Sequence, residues 1–260
     1  MKIAAFTQTY GHERILELKL MKYDFIGRYI RNICDVVVFS FHNCPKEFVK
    51  EAEALVKEVY PNAVFFYWPD MTYIESIRQS LDKLSAMGMD AWLHISDDEY
   101  GLNTIENLSN LQNVDHIIKT YKTSPNMYWL HIYGDESLPQ PDRVPLREKE
   151  ENGISYYCYD STEFQKTNVY SWNYGTYIAN LDFLKNIFSM ALPSDAWNIE
   201  LTLKKIMDSN GFERWGTNLV IFKSSNLHGI NLTEGMSMEE NLARFFPLNR
   251  LWEPLILHML

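Results

Sequence analysis

The sequence predicts an α/β fold, a single main domain with a mainly parallel central sheet flanked by helices. Three observations carry that expectation. The first 100 residues alternate short apolar runs with segments of helical period, four times over. The runs are nearly continuous in hydrophobic residues, as strands covered on both faces require. And 46% of the 260 residues are hydrophobic, enough for one sizeable core.

Residues 2–9 (KIAAFTQT) read as a buried strand. One helix is expected over about 13–32, where Ile15, Leu16, Leu18, Leu20, Met21 and Phe25 fall close to helical spacing. Residues 35–41 (DVVVFSF) form the second strand. Pro45 opens a helix with Phe48, Ala52, Leu55 and Val59 on one face. The third strand, 63–68, is broken by Pro69 and Asp70. Thr72, with Glu75 three residues on, signals a capping box for a helix over about 73–87, which Gly88 ends. The fourth strand, 91–96, leads directly into Asp97, Asp98 and Glu99.

Beyond residue 100 the pattern loosens. Residues 135–153 (DESLPQPDRVPLREKEENG) hold three prolines and mixed charge and read as a long surface loop. Residues 171–188 (SWNYGTYIANLDFLKNIF) run from a strand or loop into a helix. Asp195 is placed to cap a further helix that Gly211 closes. A late strand is expected over 219–224, followed by NLHG. The organisation expected is one main domain over 1–230, in two halves of 1–100 and 101–230. A helical extension follows over 231–260.

Charge and cysteine usage narrow the class. The formal net charge is −10, from 34 acidic and 24 basic residues, which argues against a nucleic-acid backbone as partner. It does not exclude an anionic nucleotide, because one local metal ion outweighs a distant acidic surface. Cys34, Cys44 and Cys158 have no CxxC spacing and are odd in number, so a reducing, cytoplasmic setting is expected. No apolar run approaches the roughly 20 residues that span a bilayer, which leaves only peripheral membrane contact.

Chemistry concentrates at Asp97, Asp98 and Glu99. In open α/β sheets ligands gather at the carboxyl ends of the strands, and this triplet and Asp70 both stand at such ends. Alternate residues at a strand end point to one side, so Asp97 and Glu99 converge while Asp98 points elsewhere. Adjacent carboxylates repel unless a cation sits among them, and oxygen ligands of this kind suit Mn²⁺ or Mg²⁺.

The segment ISDDE resembles the DxD motif of GT-A fold glycosyltransferases, which use nucleotide sugars. The resemblance runs over about residues 2–230 as an ordered series. It implies that Asp97 and Glu99 help hold the metal, with Asp98 near the donor. FTQTYGHER is similar to the family's first strand and loop, which implies nucleotide contacts from Thr7, Thr9 and Tyr10. Asp70 falls where an acid touches the base or ribose, and Arg78 where a basic residue faces the donor. SWNYGTY is similar to the loop under the donor sugar, with Gly175 at the closest approach. The helix ending at Gly211 is similar to the one that carries the catalytic carboxylate, implying Glu200 as base, with Asp195 as the rival. NLHG is similar to the C-terminal His–Gly that supplies a third metal ligand, here His228. The last acid of the triplet is Glu where the family more often has Asp. The acid usual after the second strand is absent, with Ser40, His42 and Asn43 in its place.

The reaction so implied is hexosyl transfer from a nucleoside diphosphate sugar, a UDP-sugar by family habit, to the hydroxyl of a glycan or other acceptor, with inversion expected and a retaining course left open. Three other readings stay open. A nucleotidyltransferase would need a Gly-rich phosphate loop after the first strand, where TQTYGHER offers one Gly. A metal-dependent hydrolase would need a second His near the acids. A sugar- or nucleotide-binding protein of the same fold would bind donor without turnover.

Overall fold

The computed structural model describes residues 1–10, 15–97, 99–101, 111–124, 126–132, 145–159, 176–192, 199–219 and 222–224. The four predicted strands form β1 (Ile3–Tyr10), β2 (Val36–His42), β3 (Val64–Trp68) and β4 (Ala91–His94). They pair in parallel in the order β3-β2-β1-β4. The chain order therefore reverses at β1, which opens a crevice at the carboxyl ends of β1 and β4.

Between these strands lie α1 (Ile15–Leu20), α2 (Phe25–Asn32), α3 (Lys46–Val59) and α4 (Tyr73–Ala86). The expected single helix over 13–32 is in fact two, separated by a 3₁₀ turn at Met21–Tyr23. The break has a local cause. Asp24 caps the start of α2, its Oδ1 accepting the Gly27 N–H at 2.9 Å, and an N-cap residue cannot itself be helical. The capping box of α4 forms as the spacing predicts: Thr72 Oγ1 accepts from Glu75 N, and Glu75 Oε2 accepts from Thr72 N at 2.9 Å.

The second half contains more strand than the sequence suggests. It adds β5 (Glu99–Gly101), β6 (Trp129–His131), β7 (Arg147–Glu151), β8 (Ile154–Tyr159), β9 (Tyr177–Asn180), β10 (Arg214–Thr217) and β11 (Phe222–Ser224). Its helices are α5 (Leu111–Thr123), α6 (Leu181–Met190) and α7 (Ile199–Asn210). The described strands build a nine-stranded sheet in the order β3-β2-β1-β4-β9-β6-β10-β8-β7, with β11 and β5 paired separately. Following the pairings, β8 and β9 run opposite to the other strands of the large sheet, which keeps it mainly parallel.

The loop expected over 135–153 needs correction at its end. Residues 147–151 are β7, joined to β8 by Asn152 and Gly153 at φ 54° and 74°. Two successive positive φ values are the hairpin geometry that an Asn-Gly pair favours. The charged sequence of β7 suits its place at the sheet edge, where charge discourages further strand pairing.

Helices cover both faces. On one, Ile74, Ile77, Leu81 and Leu84 of α4 are fully buried with Phe6, Trp92, Trp129 and Tyr177, together with α6 and α7. Each such aliphatic side chain contributes about 2 kcal/mol by leaving water. On the other, α2 and α5 cover Ile3, Leu93, Leu130 and Ile178, while α1 and α3 enclose Phe39 and Phe41. Among the described residues no helix is long and apolar enough to cross a membrane.

Candidate active site

The site grows from the carboxyl ends of β1 and β4. Along β1 alternate side chains divide between the two faces. Gln8 faces α4, its Nε2 donating to Ser76 Oγ at 2.9 Å. Thr7 faces the other way and accepts from Arg31 Nη2 of α2 at 3.3 Å. Thr9, fully buried, shares the side of Thr7 by alternation. Tyr10 closes β1, and its side chain lies outside the described residues.

The acidic segment is a turn set between two sheets. Ile95 N still bonds Phe6 O at 2.9 Å, and Glu99 N reaches back to Ser96 O at 3.3 Å. Glu99 then opens β5, opposite Ser224 of β11. Its side chain is buried, and its Oε2 accepts the Thr176 hydroxyl at 2.6 Å. Asp97 and Glu99 line one small cavity, of about 10 Å³, together with Thr7, Asp24, Arg31 and apolar walls. That is room for about one water-sized particle. Both acids therefore border the same cavity.

Two members of this cavity carry no signal in the apolar pattern. Asp24 and Arg31 are both almost fully buried, with Arg31 Nη1 at 4.0 Å from Asp24 Oδ2. Gly27 makes their approach feasible. A Cβ there would stand 2.0 Å from Asp24 Oδ2 and 3.0 Å from Arg31 Nη1. The Arg31 guanidinium lies 5.9 Å from the Tyr60 ring, a cation–π distance. Burial pushes the Tyr60 hydroxyl pKa up, and the Arg31 charge opposes that shift. The spacing Asp24, Gly27, Arg31 is the signal that could have marked the pair, since positions three and four apart share a helix face. Thr176 was also missed, although it adjoins Gly175.

Other expected site residues fall in different places. Asp70 is exposed in the turn after β3 with φ 56°. Across from it Asn43, with φ 51°, ties the ends of β2 and β3 together. Its Nδ2 donates to Met71 O at 2.8 Å, and His42 Nε2 bonds the same carbonyl at 2.8 Å. Burial pulls the His42 pKa below its ordinary value. Arg78 differs from the donor-facing position expected of it. Its Nε and Nη2 donate to Phe188 O at 2.9 and 2.7 Å, and Nη2 reaches Ala191 O at 2.6 Å. A guanidinium there satisfies the open carbonyls at the end of α6 and complements its dipole. Glu200 stands in the first turn of α7, but its side chain lies outside the described residues. Asp98, Gly175, Asp195 and His228 lie outside them altogether.

The described donors fit a hard divalent cation in kind but not yet in number. Asp97 and Glu99 offer carboxylate oxygens to one cavity. Among the described residues no group of three His, Cys, Asp or Glu is disposed to hold a metal.

No family model matches the sequence, and no curated protein matches it. Solved structures do. Residues 1–349 of S. aureus TarS align with a TM-score of 0.52 at 11% identity, over 86% of this chain and 60% of that one. The same TarS fragment in complex with UDP-GlcNAc aligns with a TM-score of 0.51 at 12% identity, over 95% of this chain and 65% of that one. A cytidylyltransferase from Leptospira borgpetersenii aligns with a TM-score of 0.43 at 13% identity, over 79% of this chain and 71% of that one. The chain spans less than two thirds of the TarS fragment's length. At such identity the likeness is one of fold, and the fold is GT-A-like.

Proposed function

We propose that this chain is a metal-dependent glycosyltransferase that moves a sugar from a nucleoside diphosphate sugar to an acceptor hydroxyl, with inversion. The observation that carries the reading is the meeting of Asp97 and Glu99 in one cavity at the carboxyl ends of β1 and β4, where the strand order reverses. The TarS fragment of like fold was solved with UDP-GlcNAc, which supports a UDP-sugar as donor.

In this reading Asp97 and Glu99 hold Mn²⁺ or Mg²⁺, with His228 as the third protein ligand. When bound, that ion offsets the charge that develops on the leaving diphosphate. Thr176 orients Glu99 through its 2.6 Å hydrogen bond. Thr7, Thr9, Tyr10 and Asp70 border the nucleotide, with Asp98 and Gly175 at the sugar. Glu200, or Asp195 in its place, takes the proton of the acceptor hydroxyl on a carboxylate oxygen. The acceptor oxygen then forms its bond to the anomeric carbon as the bond to the diphosphate breaks. The acceptor is a glycan or another hydroxyl compound, and the setting is cytoplasmic.

The test is a screen of nucleoside diphosphate sugars for metal-dependent nucleotide release, with wild type and Asp97→Ala in parallel. Release in Mn²⁺ or Mg²⁺ that disappears in the variant supports the proposal. Metal-enhanced donor binding with no release in the presence of candidate acceptors would instead identify a binding protein. Neither release nor metal-enhanced binding would refute the assignment.

A further inference from the structure

The two edges of the nine-stranded sheet are built differently. At one edge β7 (REKEE) is charged at every position, which discourages another strand from pairing there. At the other, β3 (VFFYW) has no charge, no proline and an unbroken register with β2. Among the described residues no strand pairs with its outer side. Trp68 O accepts from Asn43 N at 3.1 Å, so the Trp68 peptide groups turn towards β2. In a parallel ladder the N–H and C=O of one residue point to the same side, and those of the next residue to the other. Val64, Phe66 and Trp68 therefore bond β2, while Phe65 and Tyr67 direct their N–H and C=O groups away from the sheet. The side chains at this edge divide into two oppositely charged ends. Phe65 and Tyr67 both stack on Phe41, at 6.0 and 5.9 Å between ring centres, which puts them on one face. Lys57 Nζ lies 5.1 Å from the Phe65 ring, and the Tyr67 hydroxyl donates to Glu53 Oε1 at 2.5 Å. Lys57 and Glu53, one turn apart on α3 and paired at 3.0 Å, thus stand at opposite ends of an edge whose Tyr67 is 45% exposed.

We propose that β3 is a dimerisation edge whose occupant is β3 of a second copy of this chain, paired antiparallel about a two-fold axis at Phe66. A two-fold interface needs a surface complementary to itself, and this edge meets that condition twice. In the backbone, the axis sets Phe65 opposite Tyr67 of the second copy, and Tyr67 opposite its Phe65. These are the residues with outward groups, so each pair exchanges both of its hydrogen bonds. A slip of one residue would set Phe65 against Phe66, whose peptide groups are already bonded to β2, and would leave the outward groups without partners. In the side chains, each Phe65 meets a Tyr67 across the axis, an aromatic pair that stabilises a sheet face. Lys57, beside Phe65, then comes alongside the Glu53 that stands by the other copy's Tyr67, and the reverse pair forms by symmetry. Antiparallel pairing turns the carboxyl ends of the two sheets in opposite directions. The two candidate active sites therefore face apart, and the inference does not rest on the proposed reaction.

Sedimentation velocity of the full chain over a range of concentrations reads the dimer directly, and circular dichroism shows which variants are folded. Wild type should dimerise reversibly. Tyr67→Pro removes an outward N–H from each copy and leaves the bonds to β2 in place, so it should sediment as a monomer. Lys57→Glu and Glu53→Lys each set like charges across the axis, and each should weaken the dimer roughly tenfold. Their equimolar mixture is the sharper test. Each variant loses its own attraction between positions 53 and 57 whatever its oligomeric state. Across a two-fold axis, however, the two altered chains complement one another, so the mixture should recover the dimer as a heterodimer. Wild type that stays monomeric at every concentration overturns the inference and leaves the edge to another strand. A dimer unchanged in folded Tyr67→Pro, or unchanged in both charge variants, overturns it by placing the contact elsewhere. A mixture that dimerises no better than either charge variant alone overturns the antiparallel pairing on which it stands. Should Tyr67→Pro fail to fold, the charge variants and their mixture decide.

Discussion

In an exposed helix, replacing an interior Gly with Ala stabilises by about 1 kcal/mol, because Gly has more backbone freedom to lose. At Gly27 of α2 the sign should reverse. The new Cβ would sit 2.0 Å from Asp24 Oδ2, 2.7 Å from Asp24 Cγ and 3.0 Å from Arg31 Nη1, closer than atoms can pack. Asp24 must therefore swing away, which loses the N-cap bond to Gly27 N, worth about 1 kcal/mol. It also leaves Arg31 buried with one partner fewer, and opening a buried pair costs about 3–5 kcal/mol where nothing else compensates. Thr7 and Tyr60 keep part of that interaction. After the gain in helix propensity, Gly27→Ala should destabilise by about 2–4 kcal/mol, read as a Tm lower by roughly 5–15 °C. Thermal and urea unfolding followed by circular dichroism measure it. A variant as stable as the wild type, or more so, would refute the account of Gly27 as the seat of the Asp24–Arg31 pair.

Two further outcomes follow from the same reasoning. Arg78→Met should lower stability by about 1–3 kcal/mol, because the carbonyls of Phe188 and Ala191 lose a charged donor, while nucleotide affinity stays unchanged. A selective loss of UDP binding with full stability would return Arg78 to the donor site. His42 is held neutral by burial, so its folded pKa lies below the ordinary 6.5. Below pH 6.5 the unfolded chain then binds the extra proton. The stability His42 contributes is present above that pH and is lost as pH falls towards its folded pKa, at no more than about 1.4 kcal/mol per pH unit. His42→Gln, whose amide can still donate to Met71 O, should flatten the acid limb of stability against pH. An identical limb in both proteins would show that other groups carry it.

The sequence by itself determined the first half of the sheet and the strand end near which its acids stand. β1 to β4 are read from unbroken apolar runs, and α4 from its capping box, because both signals are local and strong. Asp97 and Glu99 stand just beyond a strand end, but it is the turn after β4 and the pairing of β5 with β11 that set their places. What the sequence left undecided was set by contacts between distant segments. β6, β9 and β10 have three or four residues each, too few for a period to show, and they exist because neighbouring strands on both sides complete their hydrogen bonds. β7 was hidden by its charge, which reads as loop but suits an edge. The break in the first helix turned on one side chain, Asp24, whose cap outweighed the continuing helical pattern. Arg78 sits on a face that looks solvated in sequence, and only the docking of α6 against α4 gives its guanidinium carbonyls to bind. Arg31 entered the acidic cavity for the same kind of reason. Only in the folded chain do α2, β1 and the turn after β4 converge, and burial then forces their charges to be weighed against one another.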